Sequence, residues 1–200
     1  MIADILKLNM HEFYDYFERT SVGPLWDGSE VASISISNGK LVVVPAFNTV
    51  WLYKGAIFTP NLNLFGDFEV EGKFSYANSQ KSNMSWIGLG LLDSTNTEGC
   101  AICMNDSWAG NSGCLGIYNI SGGMSSIFGT SEGSRPLSGS YTYKIVRVGT
   151  TVSFYEDGIY RHSYTKTTAF TTLKLMAMAG TSSYPVITTY WDYIKVKRGD

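Results

Sequence analysis

Three carboxylates spaced two apart, Asp67-x-Glu69-x-Glu71, are the residues of this sequence with the clearest potential for acid–base chemistry. On an extended strand alternate residues share a face and lie about 6.5–7 Å apart along the chain. Cleavage of a glycosidic bond with retention needs two carboxyls about 5–5.5 Å apart, one as nucleophile and one as acid. Asp67, Glu69 and Glu71 are the candidates for that role, although the same spacing also describes the solvated face of an ordinary strand.

Other chemistries find less support. His11 and His162 sit in unrelated segments and neither adjoins a nucleophile motif, which excludes a Ser-His-Asp set. No glycine cluster precedes a helix, so there is no phosphate-binding loop. Cys100 and Cys103 have CxxC spacing without a second such pair, and the default reading is buried thiols in a strand. A Cys103–Cys114 bridge across a hairpin is left open by the sequence. Two tryptophans are candidate ligand platforms, because a sugar ring has an apolar face and a polar rim. Trp86 lies beside Gly88 and Gly90, and Trp108 lies in the loop sequence NDSWAGNSG.

The elements that must position these residues are strands. Gly66 to Tyr76 alternates cleanly, with Phe68, Val70 and Phe74 on one face and the acids on the other. Ser85 to Leu92 is a buried strand in which the glycines imply close approach of another backbone or a ligand. Asn38-Gly39 and Asp157-Gly158 sit between alternating runs and mark hairpins. The hairpin from Tyr141 to Tyr160 alternates twice and turns twice. With 21 Gly, 44% hydrophobic and 16% charged residues, the chain suits one turn-rich domain of about a dozen strands. A net charge of −2 without a basic run gives nucleic acid no footing, and no apolar run is long enough for a membrane helix. Residues 1–12 are read as an arm carrying Ile2, Ile5, Leu6 and Leu8, and 13–200 as a single domain. The opening lacks the basic start and cleavage site of a signal peptide.

Several stretches resemble one family. IVRVGTTVSFYEDG is similar to the hairpin of laminin G-like and related modules of the concanavalin A-like lectin/glucanase superfamily. FYDYFER followed by PLWDG resembles the opening of those modules, SNGKL their early hairpin, and TYWDYIKV their closing strand. The resemblance implies an all-β fold, a two-sheet antiparallel jelly-roll sandwich, with Phe13, Phe17 and Trp26 capping one end. Laminarinase-type enzymes of the superfamily carry Glu-x-Asp-x-Glu on one strand. Here the first two acid types are exchanged, and the noncatalytic modules have a strand like GDFEVE whose acids are simply solvated.

The expectation is therefore a noncatalytic, lectin-like module that recognises a glycan or a protein surface. Its expected setting is a virion or extracellular surface, by analogy with phage and viral appendages. The alternatives are a structural jelly-roll subunit, joined into a homo-oligomer or larger assembly through residues 1–12, and a retaining β-glucanase-type hydrolase. No cofactor is expected. Some laminin G-like modules bind calcium, for which Asp93, Asp106 and Asp157 are the loop acids available.

Overall fold

The computed structural model describes residues 12–47, 54–60, 62–77, 85–105, 114–129, 138–179 and 187–199. Among them are sixteen strands and no helix. The chain opens with β1 (Glu12–Asp15) and β2 (Trp26–Asp27). A hairpin follows, β3 (Ser33–Ser37) and β4 (Lys40–Val44), then the short β5 (Ala46–Phe47) and β6 (Gly55–Phe58). Three long strands come next, β7 (Phe68–Ala77), β8 (Ser85–Leu92) and β9 (Glu98–Asn105). β10 (Cys114–Ser121) and β11 (Met124–Gly129) form a hairpin. β12 (Ser138–Val148), β13 (Thr151–Glu156) and β14 (Ile159–Thr165) form a meander, and β15 (Thr172–Ala179) and β16 (Thr189–Arg198) complete the set.

The turns obey their residues. Asn38 and Gly39 have φ of 53° and 69°, and Asp157 and Gly158 have 51° and 78°. Positive φ at both central positions is the geometry whose twist suits a two-residue hairpin, and it selects Asn-Gly and Asp-Gly.

The strands build two eight-stranded sheets. The first runs β14-β13-β12-β7-β16-β4-β3, with β1 also on β16; the second runs β11-β10-β9-β8-β15-β6-β2, with β5 also on β15. Pairing is antiparallel except for the two-residue β5–β15 contact. The inner faces meet in one core. Phe68, Val70, Ile87, Leu89, Ile145 and Phe154, the positions expected there from the alternation, are all within 3% of full burial.

An aromatic cluster anchors the middle of that core. Phe74 lies 4.8 Å from Trp191 and 5.1 Å from Tyr143. Gly72 makes room for it, since a Cβ there would come within 2.9 Å of the Trp191 ring. A bulge between Trp191 and Tyr193 lifts Asp192 out of register, where it meets Lys40 at 2.6 Å. One end of the sandwich is closed by Phe13, Trp26 and Phe58, with Phe13 and Trp26 at 4.9 and 5.2 Å from Phe58, and Phe17 packs on Trp26 at 6.0 Å. This is the capping role expected of Phe13, Phe17 and Trp26.

Among the described residues three cations are buried. Arg147 continues the core-side face of β12 and donates to the carbonyls of Gly149 and Thr168 at 2.9 and 2.7 Å. Lys166 reaches between the sheets to Glu98, the Asn119 side chain and the Ile120 carbonyl at 3.0, 2.8 and 3.0 Å. Lys174 meets both Glu30 oxygens at 2.9 Å. A buried ammonium is tolerable only with such partners.

Candidate functional site

Strand β7 occupies the middle of the first sheet, between β12 and β16, and alternation sends Glu69 and Glu71 to its outer face. The register sets one row across five strands: Tyr155, Lys144, Glu71, Lys195 and Tyr14. Each lysine lies over the tyrosine at its end of the row, Lys144 Nζ 5.3 Å from the Tyr155 ring and Lys195 Nζ 5.5 Å from the Tyr14 ring. Lys144 stands 3.9 Å from both Glu69 and Glu71. Lys195 is 3.6 Å from Glu69 and 3.9 Å from Glu12. Glu71 also accepts the Tyr193 hydroxyl at 2.8 Å.

Among the described residues the ion-pair partners of these acids come from β12 and β16, and Lys73 instead meets Asp192 at 4.0 Å. Asp67 stands apart from the pair, because its carboxylate accepts the Gly149 amide at 2.7 Å and so ties the β12–β13 turn to the start of β7. Glu69 and Glu71 are thus brought to one face with two ammoniums and a phenol, and Asp67 is spent on a turn.

Titration follows from those contacts. Burial and the hydrogen bond to Glu71 push the Tyr193 hydroxyl well above the usual phenol range. Tyr14 is raised as well, chiefly by its hydrogen bond to Glu12. Partial burial favours the neutral Lys195 amine, but its contacts with Tyr14, Glu69 and Glu71 outweigh this and raise it. Tyr14 and Tyr193 are thereby kept neutral, and Lys195 charged, through the physiological range.

Trp86 lies on the outer face of the second sheet, packed with Ala101, Cys103, Tyr118 and Met176 in a cluster separate from the core. It is 6% exposed and its indole N–H donates to the Tyr118 hydroxyl at 3.2 Å. The close approach signalled by Gly88 is that of a backbone, for a Cβ there would sit 2.1 Å from the Ile102 carbonyl oxygen. Trp108 and Asp106 lie outside the described residues.

Cys100 and Cys103 are three apart, which on a strand puts them on opposite faces: Cys100 is in the core and Cys103 in the outer cluster. Both are free and buried, and burial pushes the Cys100 thiol up to about 12. The other loop acids serve turns. Asp93 accepts the Thr97 and Glu98 amides and the Thr95 hydroxyl, which outweigh burial and hold its carboxyl below the usual range. Asp157 accepts the Thr142 amide at 2.7 Å. Among the described residues no group of three or more His, Cys, Asp or Glu side chains is gathered as for a metal ion.

The sequence reading passed over the open aromatic surface beside the carboxylates. Tyr14 and Tyr16 are 42% and 53% exposed, with parallel rings 5.8 Å apart. Tyr16 in turn meets Tyr193 at 6.1 Å. The available signal was the alternation Tyr14-x-Tyr16, which runs one residue past β1, but Tyr193 joins only through the β1–β16 pairing.

No family model matches the sequence, and no curated protein matches it. Solved structures do. The carbohydrate recognition domain of Emp47p superposes with a TM-score of 0.67 at 11% identity, covering 95% of this chain and 96% of that one. The CBM2 module of the evolved Dit of Lactobacillus casei BL23 phage J-1 gives 0.64 at 12% identity, over 94% and 96%. The GH43 protein BlXynB of Bacillus licheniformis gives 0.69 at 13% identity, over 93% of this chain but only 39% of that one, so this chain spans well under half of that protein. The fold these structures share with this chain is the two-sheet antiparallel jelly-roll sandwich.

Proposed function

We propose that the protein is a noncatalytic, lectin-like module that binds glycans. The observation that carries this reading is the end-to-end correspondence with a carbohydrate recognition domain and a CBM2 module, each matched over 96% of its own length. The carboxylate pair agrees with it. Glu69 and Glu71 face outward and are taken up in contacts within the sheet face, both with Lys144, Glu69 also with Lys195, and Glu71 with the Tyr193 hydroxyl.

The phage Dit module among the structural matches supports a place on a virion or extracellular surface, with residues 1–12 as the joining arm. A retaining glycoside hydrolase is the second reading, favoured by Glu69 and Glu71 sharing one strand face. One experiment separates the two: a glycan array to detect binding, together with incubation on β-glucans to follow reducing ends. Binding without turnover supports the module. Turnover that disappears in both Glu69→Gln and Glu71→Gln replaces it with the hydrolase.

A further inference from the structure

The outer strands of the two sheets differ in how they guard their free edges. An unpaired edge offers a row of amides and carbonyls to any other strand, and proteins blunt it with bulges, charges or very short strands. β14 carries an extra residue, Arg161, opposite the step from Phe154 to Tyr155, and β11 carries an extra Ile127 opposite the step from Ile117 to Tyr118. β1 bears the exposed Glu12, and β2 has only two residues. β3 has none of these devices. It pairs with β4 in unbroken register, no residue from 31 to 39 is charged, and among the described residues no strand pairs with its other side.

The register tells which groups are free. A two-residue turn closes on a hydrogen-bonded pair, here Ser37 with Lys40, and such pairs recur at every second position. Ser33, Ser35 and Ser37 therefore direct their amides and carbonyls to β4, while Ile34 and Ile36 turn theirs to the open edge. The isoleucine side chains are half-buried against the core, and the three serines are exposed on the outer face.

The strand fits a copy of itself. Ser33-Ile34-Ser35-Ile36-Ser37 reads the same in both directions. Placed antiparallel about a two-fold axis at Ser35, Ile34 of one copy faces Ile36 of the partner subunit, and each such pair exchanges both its hydrogen bonds through groups that β4 does not use. The isoleucines cover one another on the core side. The serines meet on the outer face, where cross-strand hydroxyl pairs are favourable. A charged partner finds no counter-charge on this edge. The same patch serves both copies, so the contact closes at a dimer rather than running on.

We propose that the β3 edge pairs with β3 of a second copy and joins their first sheets into one continuous sheet. A five-residue ladder buries less than a permanent dimer needs, so the association is reversible and depends on concentration. The contact is independent of the glycan-binding reading.

The test follows the mass of the full chain by sedimentation velocity over a concentration series. The dimer fraction rises with concentration and falls again on dilution. Ser35 lies on the axis, so Ser35→Lys or Ser35→Glu sets like charges against each other and weakens dimerisation at least tenfold. Thermal unfolding changes little, because that side chain is exposed. Mixing the two variants in equal amounts sets opposite charges across the axis and restores the dimer, a rescue that a folding defect would not give. A wild-type chain that stays monomeric throughout the series overturns the proposal. So do single variants that associate as tightly as wild type, and a mixture that associates no better than its components.

Discussion

The carboxylate of Asp15 accepts the indole N–H of Trp26 at 2.9 Å. The same carboxylate takes the Phe17 amide at 3.0 Å and a two-pronged contact from Arg19 at 2.6 and 2.8 Å. It is 4% exposed and sits where β1 leaves its sheet and the chain turns toward β2. The residues that close this end of the sandwich are therefore oriented by one buried acid. Phe17, whose amide donates to that acid, adopts a φ of 56°, uncommon outside glycine.

Asp15 makes stability depend on acid. Burial pushes its carboxyl up, but the hydrogen bonds from Arg19, Trp26 and the Phe17 amide outweigh burial, and the folded value lies below the usual one. A depressed folded value means that the contribution is complete above the unfolded value of about 3.9 and is lost as pH falls through the folded value. Denaturant unfolding at pH 7 and pH 3 measures this. Asp15→Asn should lower stability at pH 7 by about 2 kcal/mol, the scale of hydrogen bonds to a charged group, and should flatten the acid limb of the profile.

Gly88 should tolerate nothing larger. A methyl group there would overlap the Ile102 carbonyl oxygen in the middle of the β8–β9 ladder. Gly88→Ala is expected to cost at least about 1–3 kcal/mol, the range for forced overpacking, whereas alanine at Gly66, where a Cβ meets nothing within 4 Å, should cost far less. Thermal unfolding of the two variants compares them directly.

Glu30 secures a buried ammonium at 2.9 Å through both its oxygens. Glu30→Gln removes the charge that Glu30 sets against Lys174, which is 2% exposed and stays inside. A loss of about 1–3 kcal/mol is expected, and Lys174→Met in the same background should recover part of it, because the apolar replacement no longer needs a partner. A double-mutant cycle reads the coupling.

The fold was legible because its signals are local. Alternation in Phe68 to Phe74 and the Asn38-Gly39 and Asp157-Gly158 turns each fix a strand or a hairpin within a few residues. The buried cations were not legible. Arg147, Lys166 and Lys174 look like surface residues until carbonyls and carboxylates from other strands surround them. The acid strand was legible as a strand face, but its ion-pair partners Lys144 and Lys195 come from β12 and β16 and were invisible to a reading of Glu69 with its neighbours. The open aromatic surface was hidden for the same reason, since Tyr16 and Tyr193 come together only when the two strands pair.

Cys100 and Cys103 should be chemically silent in the folded protein. Both are free and buried, with thiols pushed upward, so little thiolate forms at neutral pH. In a Cys114→Ser variant, a thiol reagent is expected to report no reaction until denaturant is added. Prompt labelling of the native variant would show that the second sheet opens.

The arm read over residues 1–12 must be cut one residue shorter, because Glu12 already pairs with Lys197 in β1, and removing residues 1–11 spares that strand. If these residues join the protein to a partner subunit, the truncated chain should retain its fold by circular dichroism but lose mass in light scattering. An unchanged mass would assign them another role.

The place of β16 governs the order in which the molecule can be made. Its residues 189–198 hold β7 along one edge and also carry β4 and β1. During synthesis, everything from Glu12 to Ala179 leaves the ribosome before that strand exists. Until it arrives, β7 can be zipped only to β12, and β1 and β4 have no partner in the middle of their sheet. The nascent chain must wait with hydrophobic strands unpaired, a slow, non-local topology that leaves it open to misassociation. Expression yield should therefore respond sharply to temperature and to holdase chaperones, and a chain stopped before Thr189 should aggregate rather than fold.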